Sequence, residues 1–363
     1  MLELLIEIIS RSPSGRITAE QFMDTVLYDE NKGYYMVPKP KIGRNGDFIT
    51  TSNISDLYGR AVAKWYFGQT QERGLPSHVC EIGAGDGRFA SAFIDEWNKL
   101  SGEPVTYFVK EESPYHKGLQ SSLLGARVQQ VDFLEELKPF CGLIFSNELF
   151  DALPVRLVEN QQGHMMEVMV AMESGELKEE AVPLEDPSVL AYIRDNGLKL
   201  KENQRLEIPL RMIGLISSIS EMLHKGIVLT VDYGYTDEEL MDPARKRGSL
   251  RGYSNHRLIE DFLYSPGKMD ITSHVHFDSF IREGEKRDLK LEGKYRQDEF
   301  LLSCGILEDL LNHDDPDPFS AASRRNRAIR QLILPSGMSA AFHSIVQTKG
   351  LGQNKKSASA LLR

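Results

Sequence analysis

The sequence is poor in cysteine, has no long apolar run and carries fewer basic than acidic residues. Its three cysteines, Cys80, Cys141 and Cys304, lie far apart, so neither a disulfide framework nor a zinc site is expected. No apolar run approaches the roughly 20 residues that cross a bilayer. The first ten residues, MLELLIEIIS, lack a basic start and a small-residue cleavage site, which favours an amphipathic helix over a targeting signal. We therefore expect a cytoplasmic protein without a membrane partner.

The shortage of positive charge also argues against a nucleic-acid partner. With 43 Lys and Arg residues against 53 Asp and Glu residues, the formal charge is −10 at pH 7. Proteins that neutralise nucleic-acid phosphates usually present a basic face, whereas an acidic protein suits a cationic substrate. The composition, 41% hydrophobic and 26% charged over 363 residues, is typical of a globular protein with one large domain or a core domain carrying an insertion.

The first 77 residues predict a helical extension and a long loop. Apolar residues recur at helical spacing over 1–28, interrupted by a turn at SPSG, and again over about 54–73. The segment between them, DENKGYYMVPKPKIGRNGDFITTSN, is rich in Gly, Pro, Asn and Lys. Long loops in compact proteins are often functional, so this loop is a candidate functional segment.

From about residue 78 the sequence alternates between strands and helices, which is the pattern of a parallel sheet with crossover helices. The predicted strands are 78–83, 105–110, 127–131, 142–146 and 226–231, and the predicted helices lie near 88–100, 114–123 and 212–224. We therefore predict a doubly wound, Rossmann-like α/β domain over 78–350. Insertions are expected at about 154–210, beginning with a hairpin that turns at NQQG, and at 234–275, and 351–363 resemble a flexible tail.

The stretch VCEIGAGDGRFA predicts a ligand-binding turn between the first of these strands and a helix. Its glycines are Gly83, Gly85 and Gly87. A dinucleotide fingerprint requires its third glycine at position 88, where this chain has Arg88. Glu81 before the turn and Asp86 within it make a poor phosphate cradle and suit a cationic or zwitterionic ligand. The alternative is a tight strand–helix turn without a ligand.

Acidic residues follow the next two predicted strands. The second strand ends in Glu111 and Glu112, about 24 residues after the last glycine, the spacing expected of a carboxylate that binds ribose hydroxyls. The third strand is followed by Asp132, which suits an adenine amino group, and by Phe133, an apolar cover. Because ligands of open α/β sheets bind at strand carboxyl ends, these residues favour an adenosine-containing ligand.

Five blocks of the sequence resemble, in order, the MidA family of class I S-adenosylmethionine-dependent methyltransferases, which includes the mitochondrial complex I assembly factor with protein arginine methyltransferase activity. The blocks are GDFITTSNIS, CEIGAGDGRFA, SNELFDALPV, VDYGY and ITSHVHFDSF. The resemblance extends from about LYDENKGYYM to QDEFLLSCGI, and NELFDALPV is its most specific block. Where the family usually has a Pro and a Glu, this chain has Ser52 and Asn53.

The resemblance implies that S-adenosylmethionine binds at the glycine turn and that a methyl group passes to a protein arginine. The implied cofactor contacts are Glu81, Gly83, Gly85, Gly87, Glu111, Asp132, Phe133 and Asn147, with a covering loop that contains Gly46, Asp47, Phe48 and Thr50. The resemblance also implies a substrate-side role for His274. We expect a protein substrate and allow for a homodimer.

The end of the fourth strand is the predicted site of chemistry. It carries Asn147 and Glu148, and Asp151 follows. Methyl transfer is an in-line displacement that needs a lone pair held roughly 3–3.5 Å from the methyl carbon. Carboxylates orient a planar guanidinium, and an amide positions its nitrogen without adding charge. The alternative for Asn147 and Asp151 is a role in capping the following turn.

Several alternatives remain open. His274 and His276 of SHVHF share one face of a strand, but no third ligand has a convincing spacing, so no metal is expected. Asp232 and Tyr233 of VDYGY either pack in the core or line the rim of the substrate pocket. The chain is predicted to methylate arginine, with methylation of another residue or a small molecule, or a non-catalytic assembly role, as alternatives. A nicotinamide-dependent oxidoreductase is disfavoured by Arg88.

Overall fold

The computed structural model describes residues 1–41, 56–254, 256–334 and 341–352. The helices are α1 (Leu2–Arg11), α2 (Ala19–Tyr28), α3 (Leu57–Arg73), α4 (Arg88–Ser101), α5 (Pro114–Leu124), α6 (Pro187–Asp195), α7 (Leu210–Met222), α8 (Asp237–Leu240), α9 (Phe277–Glu285), α10 (Gln297–Ser303) and α11 (Ala321–Ile333). The strands are β1 (Arg16–Thr18), β2 (His78–Ile82), β3 (Thr106–Lys110), β4 (Gln129–Val131), β5 (Phe140–Asn147), β6 (Arg156–Gln161), β7 (His164–Glu173), β8 (Glu176–Pro183), β9 (Arg205–Ile208), β10 (Leu223–Tyr235), β11 (Arg251–Ser254), β12 (Arg257–Ile259), β13 (Asp270–Thr272), β14 (Val275–His276), β15 (Lys290–Arg296) and β16 (Phe342–Lys349).

Contacts divide the chain into two compact units, which we name by their sheets. The described residues of the parallel-sheet unit are 56–149, 217–233 and those from 284 onward. The described residues of the antiparallel unit are 1–41, 150–216 and those of 234–283. The domain boundaries expected from the sequence, at 77, 154–210, 234–275 and 351, stay a prediction.

The parallel-sheet unit is built on one sheet with the strand order β15-β16-β10-β5-β2-β3-β4. The five strands from β10 to β4 run parallel, whereas β16 is antiparallel to both β10 and β15. The chain winds outward from β2 to β3 and β4 and then returns to place β5 on the other side of β2. This confirms the doubly wound α/β fold and puts the switch point, where such sheets bind ligands, beside the glycine turn after β2.

The core of this unit explains the predicted alternation of strands and helices. Helices α3 and α4 pack against each other and bury aromatic rings, with Phe89 stacked on Phe145 of β5 at 4.1 Å between centroids. Tyr66, Phe93 and Trp97 are buried in the same cluster. Because both faces of a parallel sheet are covered, the central strands β5 and β10 contain long buried runs, and those runs are what the sequence pattern detected.

The sequence did not predict the two antiparallel strands β15 and β16. Their residues, KLEGKYR and FHSIVQTK, mix polar and apolar side chains, and β15 is largely half-buried. Neither strand shows a clear apolar period, and their pairing depends on neighbours in the sheet: β16 pairs with β10, and the edge strand β15 pairs with β16. The predicted strand at 127–131 begins later, at Gln129, because Gly125–Arg127 forms a 3₁₀ turn.

The antiparallel unit contains the sheet β1-β7-β6-β9, with β8 paired to β7. The predicted hairpin at NQQG is confirmed, since β6 and β7 pair antiparallel on either side of Gln162 and Gly163. Helices α1 and α2 cover this sheet and bury Leu5, Ile9 and Phe22 with other apolar residues. The predicted turn at SPSG therefore separates two helices of one core, with the short strand β1 between them.

Cys80, Cys141 and Cys304 are free thiols. Burial raises the pKa of Cys80 to about 12, with the charge of Glu81 adding to it, and burial raises the pKa of Cys304 as well. Both thiols are therefore protonated and unreactive at neutral pH. Within the part of the chain that the structure describes, no helix is both long and apolar enough to cross a bilayer.

Candidate functional site

The glycine turn requires glycine for its backbone conformation. Gly83, Gly85 and Gly87 have φ angles of 73°, 54° and 81°, in the left-handed region that L side chains rarely adopt. A Cβ at Gly83 would lie 2.9 Å from Cδ1 of Leu149, and one at Gly87 would lie 3.0 Å from Cδ1 of Leu124. The turn delivers the chain directly from β2 into α4, which begins at Arg88. The N-terminus of a helix and the carboxyl end of a central strand thus meet at one place.

The structure brings Glu111 to this turn. Its Oε2 accepts a hydrogen bond of 2.9 Å from the backbone N–H of Gly85, and its Oε1 accepts one of 2.9 Å from that of Ser113. Burial raises the pKa of the Glu111 carboxyl, while these hydrogen bonds lower it. The turn is also held by Gln120, whose Nε2 donates to the carbonyl of Gly85 at 2.7 Å. By contrast, Glu112 is exposed and its carboxylate pairs with Lys110 Nζ at 2.5 Å.

Glu81 lies at the end of β2 and is fully enclosed. The hydroxyl of Tyr107 on β3 donates to its Oε2 at 2.7 Å. Burial raises the pKa of Glu81 to about 8, opposed by the Tyr107 hydrogen bond and reinforced by the charges of Glu111 and Asp86. Glu81 is therefore mainly a neutral hydrogen-bonding group at pH 7. The sequence analysis did not identify Tyr107. A tyrosine in an otherwise apolar strand could have indicated it, because a buried hydroxyl needs a hydrogen-bond partner.

Asp132 and Phe133 follow β4 at the same edge of the sheet. The carboxylate of Asp132 is exposed and accepts from Lys117 Nζ at 2.7 Å, which lowers its pKa. The backbone N–H groups of Asp132 and Phe133 both donate to Oε1 of Glu136, at 3.1 and 2.7 Å. Phe133 leaves 67% of its surface exposed.

Asn147 ends β5, and Glu148, which follows it, has a strained backbone. Glu148 has φ at 50°, which is uncommon for a residue other than glycine, and its N–H donates to the carbonyl of Val231 at 2.9 Å. Nδ2 of Asn147 donates to Oε1 of Glu148 at 3.0 Å. The buried Oδ1 of Asn147 has no hydrogen-bond partner among the described residues. Strain and an unused acceptor at the end of a central strand are features that functional sites retain.

Asp151 and His274 belong to the antiparallel unit, where adjacent backbone groups connect them. The N–H of Ser273 donates to the carbonyl of Asp151 at 2.9 Å, and the N–H of His274 donates to Oγ of Ser249 at 2.9 Å. Asp151 is buried. The His274 ring stacks on Tyr235 with centroids 4.2 Å apart and planes 1° from parallel.

His274 is neutral at physiological pH. Burial, together with the charges of Arg251, Arg245 and His276, lowers its pKa to about 3. His276 behaves in the same way, with its pKa lowered to about 3 by burial, and its Nδ1 lies 2.7 Å from the hydroxyl of Tyr192. No group of three His, Cys, Asp or Glu residues with metal-binding geometry occurs in the described chain.

Some predicted residues cannot be placed. The covering-loop residues Gly46, Asp47, Phe48 and Thr50, together with Ser52 and Asn53, lie outside the described residues. The rim candidates of VDYGY are in place at the end of β10, where Oδ1 of Asp232 accepts from the N–H of Tyr233 at 2.9 Å. Asp232 is buried, and Tyr233 packs edge-on against Phe342 at 5.4 Å, which favours packing for this pair.

Comparisons with known proteins also indicate an S-adenosylmethionine-dependent methyltransferase. Residues 61–294 match the model of a family described as S-adenosyl-L-methionine-dependent methyltransferases. The mitochondrial protein arginine methyltransferase NDUFAF7 of Danio rerio is 24% identical and aligns with 94% of this chain and 86% of its own. The NDUFAF7 homolog of Drosophila melanogaster is 27% identical over 84% of this chain and 76% of its own. A Burkholderia thailandensis protein crystallised with S-adenosyl-homocysteine has a TM-score of 0.90 and 28% identity, covering 99% of this chain and 94% of that one.

These relatives contradict one expectation. The prediction of a cytoplasmic protein is wrong, because the curated relatives are named as mitochondrial proteins. The prediction rested on separated cysteines and on the character of the first ten residues. Separated cysteines indicate a reducing environment, and more than one compartment of a cell is reducing.

Proposed function

Because this chain belongs to the family of S-adenosyl-L-methionine-dependent methyltransferases, we propose that it transfers a methyl group to an arginine side chain of a protein. Its cofactor is S-adenosylmethionine. The arginine acceptor is supported by relatives named as protein arginine methyltransferases. The observation that carries the proposal is the carboxylate of Glu111, held at the glycine turn by the N–H groups of Gly85 and Ser113.

The residues of the glycine turn fit the cofactor. The backbone N–H groups of Gly85 and Ser113 fix the orientation of the Glu111 carboxylate. A carboxylate has about four lone-pair sites, so the same group can also accept from ribose hydroxyls. The exposed ring of Phe133 supplies a flat apolar surface for an adenine. We further propose Glu81, Gly83, Gly87, Asp132 and Asn147 as cofactor contacts, together with Gly46, Asp47, Phe48 and Thr50, which lie outside the described residues.

The carboxylates of Glu148 and Asp151 and the amide of Asn147 have the chemistry needed to bind a guanidinium group as the methyl acceptor. S-adenosylmethionine supplies an electrophilic methyl group on a sulfonium. In the transfer, a guanidinium nitrogen would form a bond to the methyl carbon as the carbon–sulfur bond breaks, which leaves S-adenosylhomocysteine, and the nitrogen would release one proton to solvent. We propose that Glu148 and Asp151 orient the guanidinium and stabilise its charge, and that the free Oδ1 of Asn147 accepts from its N–H groups. His274, being neutral, is proposed to shape the substrate side without carrying charge.

Cofactor binding is the first test. Titration calorimetry with S-adenosylmethionine is expected to show binding by the natural protein, about tenfold weaker binding by Glu111→Gln, and unchanged binding by Glu103→Gln, an exposed glutamate on a remote turn. Weaker binding by Glu112→Gln in place of Glu111→Gln would move the ribose contact to the neighbouring carboxylate. Absence of binding by the natural protein would remove the cofactor assignment.

Methyl transfer is the second test. The protein is incubated with methyl-labelled S-adenosylmethionine and an extract of cells that lack the gene, and labelled proteins are hydrolysed for amino-acid analysis. We expect label in methylarginine, and a loss of at least tenfold with Glu148→Gln at unchanged cofactor affinity. Label on another residue or on small molecules would replace arginine as the acceptor. Cofactor binding without any labelled product would favour the non-catalytic assembly role.

A homodimer and a protein as the only class of macromolecular partner stay predictions. Sedimentation of the purified protein measures its oligomeric state directly.

A further inference from the structure

Two hydrogen bonds within the antiparallel unit fix the backbone of the Asp151–Ala152 segment. The hydroxyl of Tyr28, at the end of α2, donates to the carbonyl of Ala152 at 2.9 Å. The N–H of Ser273, just after β13, donates to the carbonyl of Asp151 at 2.9 Å. Two successive carbonyl groups therefore have fixed directions, and with them the backbone that carries the Asp151 side chain.

Tyr35 connects the residues that donate these two hydrogen bonds. Its ring stacks on that of Tyr28, with centroids 5.5 Å apart and planes at 24°. Its hydroxyl donates to Oδ1 of Asp270 at 2.6 Å. Asp270 is buried and starts β13, the strand that leads into Ser273. A continuous series of contacts therefore links Ala152 to Tyr28, Tyr28 to Tyr35, and Tyr35 to β13. The residue that follows β13, Ser273, donates to the carbonyl of Asp151.

The local backbone places the two tyrosines side by side. The chain turns back after α2, so that the N–H of Tyr35 donates to the carbonyl of Leu27 at 3.0 Å. Gly33 permits this turn, because a Cβ there would lie 2.6 Å from the backbone nitrogen of Asp29. The sequence GYY thus builds a turn and presents an aromatic pair.

Electrostatics keep the Tyr35 hydroxyl a hydrogen-bond donor. Burial raises the pKa of Tyr35 well above its ordinary value, and the charges of Asp270, Tyr28 and Asp151 raise it further. Both carboxylates, Asp270 and Asp151, therefore act on the same hydroxyl. A protonated tyrosine between two buried acids is a strong and directional donor.

We propose that Tyr28, Tyr35 and Asp270 form a clasp that positions Asp151 for the methyl acceptor. They are positioning residues, since they act through Asp151. The inference rests on the proposed function, in which Asp151 orients the guanidinium. A displaced carboxylate lowers the rate of transfer without changing how the cofactor binds, because the proposed cofactor residues belong to other parts of the chain.

The variants Tyr28→Phe and Tyr35→Phe test the clasp, because each removes one hydroxyl and keeps the ring. At saturating S-adenosylmethionine, each is expected to label extract proteins about tenfold more slowly than the natural protein, with cofactor affinity unchanged within twofold. The double variant is expected to be no slower than either single variant, because the residues act as one unit. Tyr264→Phe, which alters an exposed tyrosine of the same unit, is the matched control and is expected to label at the natural rate.

Two further measurements separate positioning from a general loss of structure. Asp270→Asn keeps an acceptor oxygen for Tyr35 and is expected to retain most of the rate, whereas Asp270→Ala is expected to lose it. Hydrogen exchange of the Ser273 amide is expected to be faster in both tyrosine variants, because its acceptor is less fixed.

The outcomes are distinguishable from failure of the proposed function. If the natural protein labels arginine and both tyrosine variants match its rate, the clasp is overturned and the proposed function stands. If the natural protein labels nothing, the proposed function fails, and hydrogen exchange then decides whether the clasp fixes the backbone of Asp151. Unchanged exchange at Ser273 in both variants overturns it, and faster exchange supports it.

Discussion

Glu81 illustrates how much a single buried carboxyl depends on its surroundings. The sequence places it before a glycine turn, where it reads as a negative charge for a cationic ligand. In the structure the carboxyl is enclosed, with its one described hydrogen bond coming from Tyr107. Desolvation outweighs that hydrogen bond, so the neutral form is favoured up to about pH 8.

The first prediction concerns the pH dependence that Glu81 imposes. Its folded-state pKa is raised, so its stabilising contribution is complete below the unfolded pKa near 4.5 and is lost as pH rises through about 8. For this group alone, the free energy of unfolding should fall by on the order of 3 kcal/mol between pH 5 and pH 8. In Glu81→Gln this decrease in the free energy of unfolding should be absent, as measured by urea unfolding at pH 5 and pH 8. The control is Glu103→Gln, and equal slopes for Glu81→Gln and the natural protein would contradict the prediction.

At the scale of the element, the turn between β2 and α4 requires glycine for two reasons, its backbone conformation and the space around it. Each glycine of the turn has positive φ, and a Cβ at Gly83 would also press on the side chain of Leu149. Glu111 adds a hydrogen bond to the backbone of the same turn. The turn is therefore rigid before any ligand arrives, which reduces the entropy that binding costs.

The second prediction separates backbone strain from loss of space. Gly83→Ala should lower the free energy of unfolding by about 1–2 kcal/mol for its left-handed backbone, with an added cost for the contact at Leu149, and should weaken S-adenosylmethionine binding at least tenfold. Gly102→Ala is the matched control, since Gly102 has φ at 70° and open space around it. It should cost about 1–2 kcal/mol and leave binding unchanged. Equal binding by both variants would show that the turn does not contact the cofactor.

At the scale of the whole molecule, buried titratable groups oppose one another as pH changes. Glu81 destabilises the protein as pH rises, whereas His274 and His276 destabilise it as pH falls, because both must stay neutral in the folded state. These three groups therefore contribute opposite slopes to the pH dependence of stability.

The third prediction concerns acid sensitivity. The folded-state pKa of His276 is depressed to about 3, so its contribution is present above the unfolded value near 6.5 and is lost as pH falls toward 3. Relative to pH 8, the loss at pH 5 should be about 2 kcal/mol for each of the two histidines. His276→Gln should remove its share, as followed by urea unfolding at pH 5 and pH 8. His164→Gln, at an exposed histidine, should keep the natural acid sensitivity. A His276→Gln variant as acid-sensitive as the natural protein would show that His276 does not stay neutral in the fold.

Local pattern determined a large part of this molecule. The parallel strands, the crossover helices, the NQQG hairpin and the positive-φ turn each depend on residues that are neighbours in sequence, through apolar runs, helical spacing and glycine. The family resemblance rested on short blocks of the same kind, and the family match over 61–294 confirms it. The sequence by itself therefore determined the doubly wound sheet, the cofactor and the class of reaction.

Tertiary structure decided what lies between distant segments. Glu111 accepts from the backbone of Gly85, Glu81 accepts from the hydroxyl of Tyr107, and Tyr35 donates to Asp270, 235 residues away in the chain. The side chains of β15 and β16 carry no clear period, and these strands form by pairing in the sheet, β16 with β10 and β15 with β16. Hydrogen-bond partners and desolvation depend on distances between side chains far apart in sequence, and these distances exist only once the chain has folded.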